Sequence, residues 1–274
     1  MDAKASVQWE IKMDVVLVGC GNMGFAMLER WIAVRPKDLF HVVEPSDILR
    51  ERAVHAGAKG YYAAERLPEG MMADLVILAV KPQVMGDVAP AYAGRGAAYV
   101  SIAAGVTLGA LEGWLGGGAV VRTMPNTPAA VGQGMLVSVA NDAVTDEARA
   151  QVDALMSATG EHAWVEDEAL MDAVTAVSGS GPAYVFHFIE ALGAAAVALG
   201  LPEDLAHKMA LQTVAGAGAL AAASEDEPGV LRRKVTSPKG TTEAALTVLM
   251  GPLGSLVGEA AEAARARSVE LGKG

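Results

Sequence analysis

The residues best suited to chemistry in this chain are Gly19-Cys20-Gly21-Asn22-Met23-Gly24, which hold the spacing G-x-G-x-x-G. With 31 glycines in the chain a bare match is weak. Its context is not: an apolar run, Val15 to Val18, precedes it and a helical pattern from Asn22 to about Val34 follows. That is the arrangement a dinucleotide pyrophosphate needs. Gly19 permits the tight turn, Gly21 lets the backbone approach the phosphates, and Gly24 lets the helix pack on the sheet. The helix start supplies free N–H groups and a positive dipole end. Glu44 ends the next strand-like run, roughly 20 residues on, where an acid accepts from a ribose 2′-hydroxyl and repels a 2′-phosphate. No Arg follows it directly, so the pattern leans toward NADH over NADPH. The plainer alternative is a solvent-facing strand-end acid. Cys20 reads as a small packing residue, because no base stands in a fixed relation to it.

Three further segments leave strands and gather at the carboxyl edge of the sheet, where ligands bind in such folds. They are Ala79-Val80-Lys81-Pro82, Ser101 to Val106 (with Ile102, Ala103 and Ala104), and Met124-Pro125-Asn126-Thr127-Pro128. Small residues and prolines there suit a rigid floor under a flat ring. Asn126 has the amide to bind a carboxamide or a substrate; a plain Pro-rich connection is the alternative. The five histidines, His41, His55, His162, His187 and His207, show no metal-ligand spacing, so no metal is expected. His187 lies among apolar residues and reads as a core histidine.

These groups need elements to carry them. Strands are predicted at Val15–Val18, Phe40–Glu44, Ala58–Tyr61, Leu75–Val80, Tyr99–Ile102, Val120–Met124 and Met135–Val139, with helices between several of them. Such alternation implies βαβ units and a largely parallel sheet. From Asp167 onward only helices are predicted: Asp167–Ser178, Pro182–Leu199, Glu203–Ala223, Pro228–Val235, Thr241–Leu249 and Pro252–Leu271. SGSGP, GLP and SPKG mark their breaks. The expected division is therefore residues 1–164 as an α/β Rossmann-type domain and 165–274 as an all-α domain. The tail RARSVELGKG reads as a solvated helix end.

Composition bounds the rest. Of 274 residues 52% are hydrophobic but only 5% aromatic, so the core is aliphatic. The net charge of −11 disfavours nucleic acid and anionic membranes as partners. A single cysteine excludes an internal disulfide and fits a reducing compartment. Met1–Met13 has charges and no apolar run, so it is not read as a secretory signal, and a cytoplasmic location is expected. Ala183–Leu201 has the length of a membrane span, but His187 and Glu190 lie inside it and no basic flank orients it; a buried soluble helix is expected.

GCGNMG, AVKP, SIAAGV, MPNTPA, AVSGSGPAYVFHFIEAL and VTSPKGTT occur in this order. Together they closely resemble the pyrroline-5-carboxylate reductase family, from Val15 to about Leu271. SGSGPAY and the loop SPxGTT are far more specific than the glycine turn. The resemblance implies reduction of 1-pyrroline-5-carboxylate to L-proline by NADPH or NADH, the last step of proline synthesis. It implies a helical C-terminal dimerisation domain whose copies interlock, often within a larger ring. It places nucleotide contacts at Gly19 to Gly24, Ala79 to Pro82 and Ile102 to Ala104. Substrate contacts fall on Glu168, Ser237, Gly240, Thr241 and Thr242, with Thr242 the residue nearest to catalysis. The family loop usually reads SPGGTT, and Lys239 replaces its first glycine. A left-handed backbone there would strain Lys239; a tolerant backbone is expected, with Lys239 adding positive potential near an anionic substrate. Lys234 stands at a position often uncharged in the family.

The residue types fit this chemistry. A loop leading into a helix holds a carboxylate well, although Thr also favours an ordinary N-cap. A protonated imine is already electrophilic, so hydride transfer demands orientation rather than a strong acid. A β-hydroxyacid dehydrogenase would need a base, usually a lysine on the interdomain helix, and Val165–His207 contains neither Lys nor Arg. A non-enzymatic dinucleotide sensor would explain the glycine turn but not the Gly/Thr loop.

Overall fold

The computed structural model describes residues 12–272. The stretch read as lacking a secretory signal lies outside them through residue 11, and so do the last two residues. Eight strands form one sheet: β1 Asp14–Val18, β2 Leu39–Val43, β3 Lys59–Tyr61, β4 Ala73–Leu78, β5 Gly96–Ser101, β6 Ala119–Met124, β7 Gly134–Ala140 and β8 Gly160–Trp164. Their order is β3-β2-β1-β4-β5-β6-β7-β8. All neighbours are parallel except β6 and β7, which run antiparallel with Thr123 opposite Ser138.

The apolar runs have a direct cause. In β1, Val15 and Leu17 pack with Met27, Leu28 and Trp31 on one face of the sheet. Val16 and Val18 pack with Val76, Leu78 and Tyr99 on the other. A strand covered on both faces has no position left for a polar side chain. β8, which the sequence reading missed, reads Gly-Glu-His-Ala-Trp and lies half-buried at the edge of the sheet. It has no apolar run to announce it.

The helices are α1 Asn22–Val34, α2 Asp47–Ala56, α3 Pro82–Val88, α4 Leu108–Leu115, α5 Asp146–Met156, α6 Met171–Val174, α7 Gly181–Ala198, α8 Glu203–Ala223, α9 Pro228–Lys234 and α10 Thr241–Leu271. Thr107 and Thr145 start α4 and α5, their side chains accepting from the N–H of Ala110 and Ala148. The helix predicted over Asp167–Ser178 is broken into a short 3-10 turn, α6 and a π-helical stretch, Thr175–Gly179. The two helices predicted on either side of Gly251 are one, with Pro252 inside it. Proline removes a single intrahelical bond. The residue before it is Gly251, which has no Cβ to clash with the ring.

By contacts the chain divides into Met1–Gly179 with Ala264–Gly274, and Ser180–Ala263. The sheet does end at Trp164, where the division was expected, but the first unit keeps the segment beyond it. Met171 is fully buried against Val137 and Val139. The tail is not simply solvated either: Ser268 is buried and its hydroxyl donates to Asp172. In the second unit α7 packs on α8, with Ala206, Ala210 and Gly193 buried. The rest of α7 is not the buried helix expected from sequence. Val185, Phe186 and Phe188 are exposed in the single chain, because two helices cover only one stripe of each other. His187 is no core residue: its side chain is 83% exposed and pairs with Glu190 on its own helix.

Candidate dinucleotide and substrate site

The glycine turn is built as its spacing requires. Gly19 has a φ of 84°, and a Cβ there would stand 2.8 Å from Val80. A Cβ on Gly24 would stand 2.8 Å from the carbonyl oxygen of Gly19. Only glycine admits this approach of helix to turn. Gly21 is the N-cap of α1 and offers no side-chain cap, and a Cβ added to it would meet no protein atom within 4 Å. The helix therefore starts uncapped at the exposed residues Gly21 and Asn22, at the positive end of a 13-residue helix. That is a fit for a pyrophosphate. Cys20 beside them is buried, and burial pushes its thiol up to about 11. It stays protonated and packs, as the sequence reading holds.

Glu44 departs from the sequence reading. It is buried, its Oε2 accepting from the N–H of Cys20 at 2.8 Å and its Oε1 from the N–H of Ser46 at 2.9 Å. The carboxylate thus fixes the glycine turn, a task the sequence reading did not give it. Two arginines that sequence reasoning passed over stand beside it. Arg50 donates to the carbonyl of Glu44, and Arg52 donates to the carbonyl of Cys20 with its guanidinium over Phe25. With two guanidinium groups beside it, the acid does not by itself repel a 2′-phosphate. A cleft of about 320 Å³ opens between Gly19, Glu44, Pro45, Tyr62 and Val80, with an apolar floor suited to a flat base.

The expected floor segments leave the carboxyl ends of β4 and β5. Ala79 donates to Val18 and Ile102 to Leu78, so each loop starts by continuing the sheet. Ala79, Val80, Ile102 and Ala104 are half-buried, Ala103 is buried, and Lys81 and Pro82 are exposed at the start of α3. Asn126 has a different task from the one expected. Its Oδ1 accepts from Met135, and its Nδ2 donates to both the carbonyl and the hydroxyl of Ser178. Both ends of the amide fasten the MPNTPA loop to SGSGP. Gly179 completes the joint, since a Cβ there would lie 2.5 Å from the Met124 methyl.

Glu168 accepts with one oxygen, Oε1, from the Leu108 N–H at 2.8 Å and from Arg122 at 3.0 Å. Arg122 is buried in β6 and was missed by the sequence reading, although a lone arginine in Ala-Val-Val-Arg-Thr-Met is a visible signal. The Glu168 side chain is 30% exposed, and its Oε2 has no protein partner among the described residues. In the second unit, Gly240 turns back on Ser237 with a 3.0 Å backbone bond and its carbonyl accepts the first bond of α10, from Ala244. The hydroxyls of Ser237, Thr241 and Thr242 have no protein partner among the described residues. Lys239 is the one non-glycine among them with positive φ, at 60°. The tolerant backbone expected there is thus not found. The position is left-handed and costs a non-glycine residue roughly 1 kcal/mol. Its N–H donates to Glu243, which reaches back as in a capping box.

Fold and turn define the class: a dinucleotide-binding protein of the oxidoreductase type, a Rossmann-type unit joined to a helical one. Comparison with known proteins narrows this. The family described as pyrroline-5-carboxylate reductase dimerisation matches residues 168–271, and that described as NADP oxidoreductase, coenzyme F420-dependent, matches 14–105. The pyrroline-5-carboxylate reductase of Pseudomonas aeruginosa is 42% identical over 264 residues, 94% of this chain and 96% of its own. The solved Coxiella burnetii pyrroline-5-carboxylate reductase superposes with a TM-score of 0.89 at 34% identity, over 95% of this chain and 99% of its own. Plasmodium falciparum pyrroline carboxylate reductase, solved with NADP bound, gives 0.81 at 29% identity, over 95% and 98%. The chain belongs to the pyrroline-5-carboxylate reductase family. The dehydrogenase and sensor alternatives fall away, and the dimerisation match over the exposed helices carries homo-oligomerisation.

Proposed function

We propose that this protein reduces 1-pyrroline-5-carboxylate to L-proline with NAD(P)H, as a cytoplasmic homo-oligomer whose basic unit is a dimer through the helical domain. The observation that carries the reading is the pairing, in one chain, of an uncapped glycine turn with an unpartnered Gly-Thr-Thr helix start. The coenzyme, NADPH or NADH, supplies the hydride. The turn at Gly19, Gly21, Asn22, Met23 and Gly24 binds its pyrophosphate. Val80, Pro82, Ile102 and Ala104 form the floor that orients its ring. Amides at Gly240 to Thr242, with the hydroxyls of Ser237, Thr241 and Thr242, hold the substrate carboxylate. Glu168 offers Oε2 to the substrate while Arg122 and Leu108 hold its other oxygen still.

A cyclic iminium carries its own electrophilic carbon. The protein's contribution is then alignment of donor and acceptor and exclusion of competing geometries. Thr242, at the first turn of α10, is the residue we place nearest the ring nitrogen. The test is oxidation of NADPH and of NADH by purified protein with pyrroline-5-carboxylate, with proline identified as the product. Turnover with either coenzyme is expected. No substrate-dependent oxidation of either one would sink the reading.

A further inference from the structure

Four cations fall from the last turn of α9 to the loop before α10: Arg232, Arg233, Lys234 and Lys239, with no acid anywhere from Pro228 to Thr242. In a chain of net charge −11 this is a local reversal of sign. The four are not equivalent. Lys234 is paired with Asp226. The charged ends of Arg232, Arg233 and Lys239 have no hydrogen bond or ion pair among the described residues. Arg232 and Arg233 face a cleft of about 270 Å³ with Leu246 and Met250 on its floor. The one carboxylate on that cleft, Glu243, is turned to the Lys239 N–H. Of the acids that precede α9, Glu225, Asp226 and Glu227, Asp226 is taken by Lys234.

A plain account exists for part of this. Cations in the last turn of α9 complement its dipole. That account treats Lys234 like the two arginines, and it does not reach Lys239. Lys239 sits in a left-handed conformation that glycine would adopt without strain. A side chain held against a backbone preference, beside a ligand loop, points to a contribution from that side chain.

We propose that Arg232, Arg233 and Lys239 form a cationic rim that draws the anionic substrate to the loop Gly240–Thr242. The proposal rests on the functional reading above. Positive charge at a rim raises the local concentration of an anion and its encounter rate, and salt screens the effect. It acts before the hydride step, so it belongs in kcat/KM and not in kcat.

The test uses the intact protein with pyrroline-5-carboxylate at saturating coenzyme, from about 0.02 to about 0.5 M salt. Wild type, Lys239→Gly, Arg232→Gln/Arg233→Gln and Lys234→Gln are compared. The rim variants are expected to lose about three- to tenfold in kcat/KM at low salt, to keep kcat within about twofold, and to show a flattened salt dependence. Lys239→Gly should also raise Tm, which keeps the test sound if the arginine double variant folds poorly. Lys234→Gln should retain the wild-type salt slope. Rim variants with the wild-type slope, or with kcat lost and the slope unchanged, would overturn the rim and leave the functional reading standing. A wild type without turnover at any salt would sink both.

Discussion

In the first unit Val15, Leu17, Leu75 and Ile77 are fully buried, and two polar side chains singled out in the sequence, Glu44 and Asn126, are bonded by their own chain. In the second, Phe186 is 57% exposed, Leu220 58% and Leu256 61%, while the loop hydroxyls at Thr241 and Thr242 have no protein partner among the described residues. The sheet core of the first unit closes on itself. The second presents apolar surface of the kind that another protein surface covers. Coenzyme binding should therefore survive damage to the helical surface, whereas assembly should not.

Phe186→Asp with Leu256→Asp strikes the exposed apolar surface of the second unit directly. Central apolar anchors are worth about 2 kcal/mol or more each, and a symmetric pair counts each twice. The expected outcome is loss of the oligomer in sedimentation velocity and at least about 100-fold lower kcat/KM. Coenzyme affinity, read from nicotinamide fluorescence, should move less than about twofold. An oligomer of unchanged size would show that these side chains lie off the interface.

A smaller effect tests the claim that the first unit is self-sufficient. Glu168→Ala leaves Arg122 buried without its counter-charge and should cost about 3 kcal/mol of unfolding free energy. Adding Arg122→Met removes the orphaned charge and should restore most of that stability. If Glu168 also touches substrate, the double variant regains Tm but keeps a raised KM. Recovery of both would confine Glu168 to structure.

How much of this was legible differs by residue. β1 and β4 were legible because burial on both faces forces a continuous apolar run, and the glycine turn because three glycines answer three separate steric demands. β8 was not, since an edge strand tolerates Glu161 and His162. Asn126 and Glu44 were recognised as important polar positions, but the partners they have within the chain were not foreseen. An amide or a carboxylate serves a ligand or a backbone N–H equally well, and Ser178 and Cys20 come near only through folding. The merging of two helices at Pro252 depended on Gly251 before it. The exposure of α7 was invisible because its composition is that of a buried helix.

The smallest effect lies at the far edge of the sheet, on β8. Asp153 on α5 accepts from His162 at 2.8 Å and from Trp164 at 2.7 Å, and His162 reaches Ser138 on its other side. Burial alone would raise the Asp153 carboxyl, but the bonds from His162 and Trp164, with the charges of His162 and Arg149, outweigh it and hold it below its ordinary 3.8. A carboxyl lowered in the folded state stabilises above its unfolded pKa and loses that contribution as pH falls through the folded value. The wild type should then unfold at a higher temperature than Asp153→Asn near neutral pH, with the gap closing below about pH 4. Its size is on the order of 0.5 kcal/mol, because the Asp153 side chain is 36% exposed and water screens it. A gap that stays constant between about pH 6 and pH 3 would assign the difference to side-chain shape rather than charge. Coenzyme affinity should not move at any pH in that range, since the network stands on β7, β8 and α5 and not on the glycine turn.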